Sequence, residues 1–441
     1  MSFLVGCTPP RATAPSPSVA PEFASDRDVQ APLLGAQNLR LDPQRHTRVL
    51  FYGQSITQSS WSRATATWLR ARYPNAEIEN RAIGGYASSL LVKTAEADLY
   101  PYYPDLVIFH VYGAHDAYED IVRRIRERTT ADVLLQSDHV LVDADLDEPT
   151  DPTVLAPRED MWSAFMNHAF LPSLVAKYQV ALCDVREAWK RELYTFHERP
   201  GALLIDGLHL NARGDALMSS AVESCLAKGA GEADDRVRDY AIGTARDGEL
   251  EFSFEGNRID AVVAGSASLE VLLDGKRPSE HPELYAFSRA SSPEIGLWPP
   301  LLKLRSEVPV TERYRFTLTR IAGHDAYAFA LHGEESGYQG SGRTDQPFAS
   351  TSRAVSIDPE DWNIDYAFAL AKMAPLATFT VETRIEPHFK DRIVGDGVVT
   401  LAQGLVNARH TLTLRGQGFA ALRALRVYRP PLARSLGVNG R

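Results

Sequence analysis

Strand and helix patterns alternate over residues 46–228, and this alternation constrains the fold of the 441-residue chain most strongly. The run DLVIFHVYG at 105–113 is almost continuously apolar, which is typical of a strand buried on both faces of a parallel sheet. Four more strands are predicted, with helical patterns between them: RVLFYG, AEIENRAI, ADVLLQS and VALCDV. This order predicts a parallel sheet with helices on both faces, within an α/β domain that spans 38–230.

Residues 237–430 predict an all-β domain. Helical periodicity becomes scarce after residue 229, and short alternating stretches such as ELEFSFEG, YRFTLTRI and HTLTLRG are separated by turn residues. This pattern is typical of an antiparallel sandwich or jelly roll. We predict one β-sandwich domain over these residues. An embedded second sheet layer within it is compatible with the same pattern. Residues 431–441 are predicted to form a tail.

The first 37 residues predict export. Leu-Val-Gly-Cys at 4–7 resembles a bacterial lipobox, with Cys7 as the lipidated residue, and the following Pro, Ala and Ser-rich segment predicts an extended tether. No charged segment precedes the lipobox-like stretch, so a chance match is the alternative. The hypothesis is an exported bacterial lipoprotein in the periplasm or at the outer membrane, which contacts the membrane only through a lipid on Cys7.

Charge and cysteine content exclude two classes of protein. The net charge is −10 and no basic run is present, so nucleic acid is not a predicted partner. Three cysteines are too few for a disulfide scaffold. Cys183 and Cys225 can pair in an oxidising compartment, but two buried thiols are the simpler interpretation.

Chemically competent residues follow several predicted strands, and sites in open parallel sheets form at the carboxyl ends of strands. Ser55 follows the first strand, and Asp206 and His209 precede the last helix of the α/β region. A serine hydroxyl needs an imidazole to take its proton and a carboxylate to orient that imidazole. The spacing of Asp206 and His209 lets one short turn present both groups. Taken alone, however, a serine before a helix is more often a helix cap.

Oxyanion donors are also predicted at these strand ends. The backbone N–H groups of Ser55 and Gly85 are candidates, and His115 is a third because an imidazole can donate an N–H. His115 has other interpretations: it could cap a helix over 117–128, or pair with Asp116 or Glu119.

These blocks resemble the SGNH (GDSL) hydrolase superfamily in order and spacing, over about 46–228. Gln54 stands where that family has the aspartate of Gly-Asp-Ser, and His115 stands where it has the asparagine of Gly-x-Asn-Asp. Gly85 matches the glycine of the second block, and Asp206 and His209 match Asp-x-x-His. The resemblance implies a flavodoxin-like sheet, no metal or cofactor, and acyl-ester hydrolysis or transfer. The β domain looks similar to sandwich domains attached to carbohydrate esterases.

The sequence therefore predicts a serine hydrolase that cleaves O-acyl esters, above all acetyl esters, on a carbohydrate or acylated glycan. Substrate contacts are predicted for five residues: Gln54, Tyr86, Asp116, Asp138 and His139. In the β domain, Trp298, Trp362 and Tyr338 suggest either a sugar platform or, more simply, core packing. Two alternatives stay open. One is a glycosidase that uses carboxylates of Asp116, Asp138 and Asp206, and the other is a carbohydrate-binding lipoprotein without catalytic activity.

Overall fold

The computed structural model describes residues 29–40, 47–232 and 235–433. Cys7, the tether before residue 29 and most of the predicted tail lie outside the described residues. Within the described part of the chain, no helix combines the length and the apolar character needed to cross a membrane.

A mainly parallel six-stranded sheet forms the centre of the α/β domain, with the spatial order β1-β6-β5-β4-β2-β3. Strands β2 to β6 are parallel, and β1 pairs antiparallel with β6 at one edge. Numbered along the chain, the five parallel strands follow the order 2-1-3-4-5, which is the flavodoxin-like order. The predicted fold class of this region is confirmed. The strands are β1 Leu33–Leu34, β2 Arg48–Gly53, β3 Glu77–Asn80, β4 Leu106–His110, β5 Asp132–Gln136 and β6 Ala181–Cys183.

Helices cover both faces of this sheet, and each face has its own hydrophobic core. Helices α2, α7 and α8 pack on one face, and α3, α4 and α6 pack on the other. A π-helical segment, Met166–Phe170, joins α5 to α6. The helices are α1 Ser55–Gln58, α2 Ser60–Arg72, α3 Ser88–Asp98, α4 His115–Arg128, α5 Trp162–Phe165, α6 Leu171–Tyr178, α7 Val185–Phe196 and α8 Ala212–Ala227.

Residues 29–37 belong to the α/β domain, which corrects the predicted tether over 1–37 at its C-terminal end. The carbonyl of Pro32 accepts a hydrogen bond from the N–H of Asp184 at 2.9 Å. Ala31 is fully buried, as is Leu39 a few residues later. The apolar side chains of this segment pack on the domain while β1 covers the open edge of β6.

Cys183 and Cys225 form a disulfide between β6 and α8, with their Cα atoms 5.8 Å apart. The simpler interpretation of two free thiols is therefore wrong. Both residues are fully buried within the core on the α8 face of the sheet.

The C-terminal region is all-β, as predicted, with one added helix, α9 Ile364–Leu370. It contains a six-stranded sheet in the order β17-β9-β18-β8-β19-β7, a five-stranded sheet in the order β10-β16-β11-β12-β13 and a short β14-β15 pair. All pairings in these sheets are antiparallel. The strands are β7 Val237–Ala241, β8 Glu249–Val263, β9 Ser268–Leu273, β10 Tyr285–Phe287, β11 Glu312–Arg320, β12 Tyr327–Gly333, β13 Gly337–Arg343, β14 Phe348–Ala349, β15 Ser356–Ile357, β16 Thr378–Pro387, β17 Arg392–Val394, β18 Gly397–Gln417 and β19 Leu422–Tyr428.

This region has two hydrophobic cores, each on its own antiparallel sheet. One core lies on the six-stranded sheet and the other lies between the five-stranded sheet and α9. The second core is built from residues 285–387, which stand in the chain between β9 and β17. We call this segment the insert module. Its residues Trp298 and Leu370 also contact the core on the α3 face of the α/β domain.

Candidate active site

Ser55 is the first residue of α1, directly after β2. Its Oγ lies 3.0 Å from Nε2 of His209. Gln54, and not Ser55, occupies the N-cap position of α1. The hydroxyl of Ser55 therefore contacts an imidazole instead of capping the helix, which decides against the cap interpretation.

The turn that carries Asp206 and His209 is held by its own carboxylate. Oδ2 of Asp206 lies 2.8 Å from Nδ1 of His209, and Oδ1 accepts the backbone N–H groups of Leu208 and His209 at 3.1 and 2.8 Å. The backbone N–H of His209 and then its ring lower the pKa of Asp206 to about 2. Asp206 is consequently ionised at neutral pH and places a negative charge beside the ring of His209.

His139 fastens the same turn to the body of the domain. Its Nε2 lies 2.9 Å from the carbonyl oxygen of Leu208, and its side chain is fully buried. Burial lowers the pKa of His139 to about 4, so the ring is neutral at pH 7. Because a carbonyl oxygen only accepts hydrogen bonds, the single proton of this ring lies on Nε2.

A tight turn over 83–86 borders Ser55, and we call it the glycine turn. The N–H of Tyr86 donates to the carbonyl of Ile83 at 3.1 Å, and Gly85 has φ of 82°. A positive φ at the third residue alone is the signature of a type II turn, which favours glycine there. A Cβ placed on Gly84 would lie 3.6 Å from the Cβ of Ser55. The turn thus brings Gly84 close to the nucleophile candidate, and the oxyanion role of the N–H of Gly85 stays a prediction.

His115 begins α4, and Ala114 occupies the N-cap position, so His115 does not cap that helix. Its half-buried ring lies among Trp162, Phe165 and Phe170, with centroid distances of 5.5, 5.2 and 4.7 Å. Burial lowers the pKa of the imidazole. Its Nε2 has no hydrogen-bond partner within the described residues. The oxyanion role of His115 also stays a prediction.

Three of the predicted substrate contacts are not supported, because the side chains are buried and engaged within the protein. Asp138 accepts hydrogen bonds from Nε2 of His110 at 2.9 Å and from Nδ2 of Asn167 at 3.2 Å. Tyr86 is fully buried and donates to the carbonyl of Pro299. His139 holds the turn of Asp206 and His209 through the carbonyl of Leu208. All three residues follow strands, but their side chains are directed into the domain.

The other two predicted contacts stay predictions. Gln54 is 8% exposed and stands directly before the candidate nucleophile. Asp116 is exposed in the first turn of α4, where its Oδ1 accepts the N–H of Ala117 at 2.8 Å.

Sequence reasoning missed the residues of the insert module that border this site. Nε1 of Trp298 donates to the carbonyl of Gly84 at 2.8 Å, and Oη of Tyr366 donates to the carbonyl of Gly85 at 2.7 Å. For Trp298 the sequence suggests only a sugar platform or core packing. Trp362 does pack in the core, against aromatic residues of β11 and β12. No sequence signal links Trp298 or Tyr366 to a turn more than 200 positions earlier.

Within the described residues, no group of three or more His, Cys, Asp or Glu side chains is arranged to hold a metal ion.

No protein-family model matches this chain, and no curated protein matches it. Among solved structures, an acetylxylan esterase from Geobacillus stearothermophilus is 16% identical, with 42% of this chain and 96% of that chain covered and a TM-score of 0.36. A two-domain esterase active on acetylated mannans, co-crystallized with mannopentaose, is 15% identical, with 87% of this chain and 92% of that chain covered and a TM-score of 0.33.

Proposed function

We propose that this chain is a serine hydrolase that cleaves acyl esters, with Ser55 as nucleophile, His209 as general base and acid, and Asp206 as the orienting carboxylate. One observation carries the proposal. A continuous chain of hydrogen-bond contacts runs from Oγ of Ser55 through both ring nitrogens of His209 to Oδ2 of Asp206, at 3.0 and 2.8 Å. Each distance lies within the range required for proton transfer between nucleophile and base.

In the first step, Oγ of Ser55 attacks the ester carbonyl carbon while Nε2 of His209 accepts the hydroxyl proton. The tetrahedral intermediate collapses, the C–O bond to the alcohol breaks, and His209 returns its proton to the leaving oxygen. Water then attacks the acyl-enzyme with His209 again as base, which releases the carboxylic acid and restores Ser55. The negative charge of Asp206 stabilises the imidazolium formed in both steps.

The oxyanion needs donors that are in place before the reaction. The first N–H groups of a helix have no partner inside the helix, so the N–H of Ser55 at the start of α1 is suited to this role. The glycine turn lies beside Ser55 through Gly84, and we assign the N–H of the next residue, Gly85, as the second donor. We assign His115 as the third, through the one N–H of its neutral ring.

We propose acetyl groups on a carbohydrate as the substrate. The side chains of His209 and Asp206 are 42% and 55% exposed, so the site is open to solvent. An open site suits a short acyl group on the surface of a polymer, whereas a long acyl chain requires a deep apolar pocket. The SGNH resemblance, with its carbohydrate-esterase-like β region, supports the same choice.

The glycosidase alternative is less favoured by the geometry. A glycosidase needs two carboxyl groups free to face the scissile bond. Asp138 is 3% exposed and bonded to His110, and both oxygens of Asp206 are engaged by its own turn. Of the three candidates, Asp116 alone is exposed with a hydrogen bond only to a backbone N–H, that of Ala117, within the described residues.

We further propose that the protein is exported and anchored through a lipid on Cys7. The disulfide between Cys183 and Cys225 supports this proposal, because disulfides persist in oxidising compartments. Incorporation of a labelled fatty acid into the full chain, and its loss in Cys7→Ser, tests the anchor.

The decisive experiment compares wild type with Ser55→Ala on an aryl acetate and then on acetylated glycans, with acetate release as the readout. We expect Ser55→Ala to lose about 10³-fold or more in kcat. Ser60→Ala is the matched control, because Ser60 is exposed at the start of α2 and its hydroxyl accepts a hydrogen bond from Arg63. Unchanged activity in Ser55→Ala rejects the serine mechanism. Glycan binding without turnover by wild type supports the non-catalytic alternative.

A further inference from the structure

We propose that Trp298 and Tyr366 of the insert module are positioning residues that hold the glycine turn in its catalytic geometry, so that the α/β domain depends on the insert module for its chemistry. This inference rests on the proposed function, because it assigns the N–H of Gly85 to the oxyanion. In this proposal, the β region contributes to the chemical step and not only to the binding of a glycan.

The peptide between Gly84 and Gly85 couples the direction of a carbonyl to that of an N–H group. In a planar trans peptide, the C=O of one residue and the N–H of the next point in opposite directions. No cis peptide occurs in the described chain. Any group that fixes the carbonyl of Gly84 therefore also fixes the direction of the N–H of Gly85.

Trp298 provides such a group. Its Nε1 donates to the carbonyl of Gly84 at 2.8 Å. The indole ring is partly buried and contacts both the α/β core and the core of the insert module, so its orientation is held by packing. The N–H of Gly85 must then point away from the indole.

Tyr366 acts on the next peptide of the same turn. Its Oη donates to the carbonyl of Gly85 at 2.7 Å, and the N–H of Tyr86 in that peptide donates to the carbonyl of Ile83. Leu370, one turn further along α9, occupies the space where a Cβ of Gly85 would stand, at 2.5 Å. The insert module thus constrains the glycine turn in three ways, through hydrogen bonds to two consecutive carbonyls and through the steric contact of Leu370.

The insert module is itself fastened to the α/β domain close to the turn. Arg289 pairs with the buried Asp98 at 2.7 Å, and Lys93 pairs with the buried Asp361 at 3.0 Å. Nδ2 of Asn363 also donates to Oη of Tyr86 at 2.9 Å. These contacts keep Trp298 and Tyr366 at a fixed distance from the nucleophile, which is the condition for preorganised oxyanion donors.

The experiment measures kcat and KM of Trp298→Phe and Tyr366→Phe on an aryl acetate, whose alcohol group is too small to need a glycan-binding surface. Each change removes one donor. Tyr366→Phe keeps the phenyl ring, and Trp298→Phe replaces the indole by a smaller aromatic ring. We expect kcat to fall about 10- to 100-fold with KM unchanged, because a misplaced donor weakens only transition-state stabilisation. The double variant should lose less than the product of the two single effects, because both residues hold one turn.

Two matched controls lie in the same module. Trp362→Phe makes the same change at an indole whose Nε1 has no hydrogen-bond partner within the described residues. Tyr327→Phe removes a tyrosine bond to a backbone carbonyl, that of Leu376, away from the glycine turn. Both controls should keep the wild-type kcat, and thermal unfolding of all four variants shows whether the module is folded.

The inference is overturned if Trp298→Phe and Tyr366→Phe have the kcat of the controls, or if only KM changes. Tyr366 is 42% exposed, so Tyr366→Phe tests the inference even where Trp298→Phe does not fold. Failure of the proposed function has a different signature, since wild type and Ser55→Ala would then hydrolyse the ester equally.

Discussion

Oγ of Ser55 lies 3.0 Å from Nε2 of His209, although 154 positions separate the two residues in the chain. A second contact nearby holds their supporting helices together. Oδ1 of Asp215 in α8 accepts the hydroxyl of Ser59 at 2.6 Å and the N–H of Trp61 at 3.3 Å, at the start of α2. The segment after Ser55 and the helix after His209 are therefore joined directly, which supports the short distance between these two residues.

Replacement of the carboxylate in this chain of contacts should abolish most of the activity. We expect Asp206→Asn to lower kcat by on the order of 10³- to 10⁴-fold, because an amide cannot stabilise the imidazolium and its NH₂ group favours the wrong tautomer of His209. Steady-state kinetics on an aryl acetate give the measurement. Asp151→Asn, at a fully exposed carboxylate bonded only to Thr153, is the control. A loss smaller than tenfold in Asp206→Asn contradicts the assigned role of Asp206.

Gly85→Ala should damage both activity and stability. Gly85 has φ of 82°, and a Cβ there would lie 2.5 Å from Cδ2 of Leu370. The backbone strain alone costs about 1–3 kcal/mol. The double variant with Leu370→Ala removes the clash but keeps the strain, so it should recover only part of the loss in unfolding free energy. Gly201→Ala is the control, because nothing lies within 4 Å of a Cβ there and its φ is not positive. Equal stability of Gly85→Ala and Gly201→Ala refutes this account.

The order of strands and the triad candidates were accessible from the sequence for a physical reason. Buried parallel strands are apolar throughout, and residues after their carboxyl ends share one edge of the sheet. This logic selected Ser55, Asp206 and His209, which the structure brings into contact. The same logic also selected Asp138 and His139, whose side chains are directed into the domain and are buried. Position after a strand does not determine side-chain direction one or two residues later.

The contributions of the insert module were not accessible from the sequence. Trp298 reaches Gly84 across the interface between two units that are far apart in the chain, and no local pattern encodes such a contact. The two cores of the β region were hidden for a related reason, because alternating strands look the same whichever core they serve. β1 is only two residues long, which is too short for a periodic signal.

The stability of the protein should fall between about pH 6.5 and pH 4 because of His139. Burial lowers its pKa from 6.5 to about 4 in the folded chain, so over this range the unfolded chain binds a proton that the folded chain does not. The contribution of a neutral His139 is thus complete above pH 6.5 and is lost as the pH falls toward 4, by about 3 kcal/mol at most. Urea unfolding at several pH values measures this slope, which His139→Gln should reduce and the exposed-site control His324→Gln should not. An unchanged slope in His139→Gln contradicts the assignment.

The disulfide should stabilise the folded protein without changing its activity. It links Cys183 and Cys225 across a separation of 42 residues, and it connects strand β6 to α8, the helix that follows the turn of Asp206 and His209. A loop of this length contributes about 4 kcal/mol by restricting the unfolded chain. We expect the double variant Cys183→Ser, Cys225→Ser to lose stability of this order, and a reducing agent to lower the unfolding midpoint of wild type but not that of the variant. The triad distances depend on the hydrogen bonds between Ser59 and Asp215 of α8 and between His139 and the carbonyl of Leu208, and not on the sulfur atoms. We therefore expect kcat of the variant, well below its unfolding temperature, to match wild type. The prediction is contradicted if the unfolding midpoint of wild type does not change on reduction. A loss of kcat in the variant without a loss of stability would instead indicate that the disulfide positions the turn of Asp206 and His209.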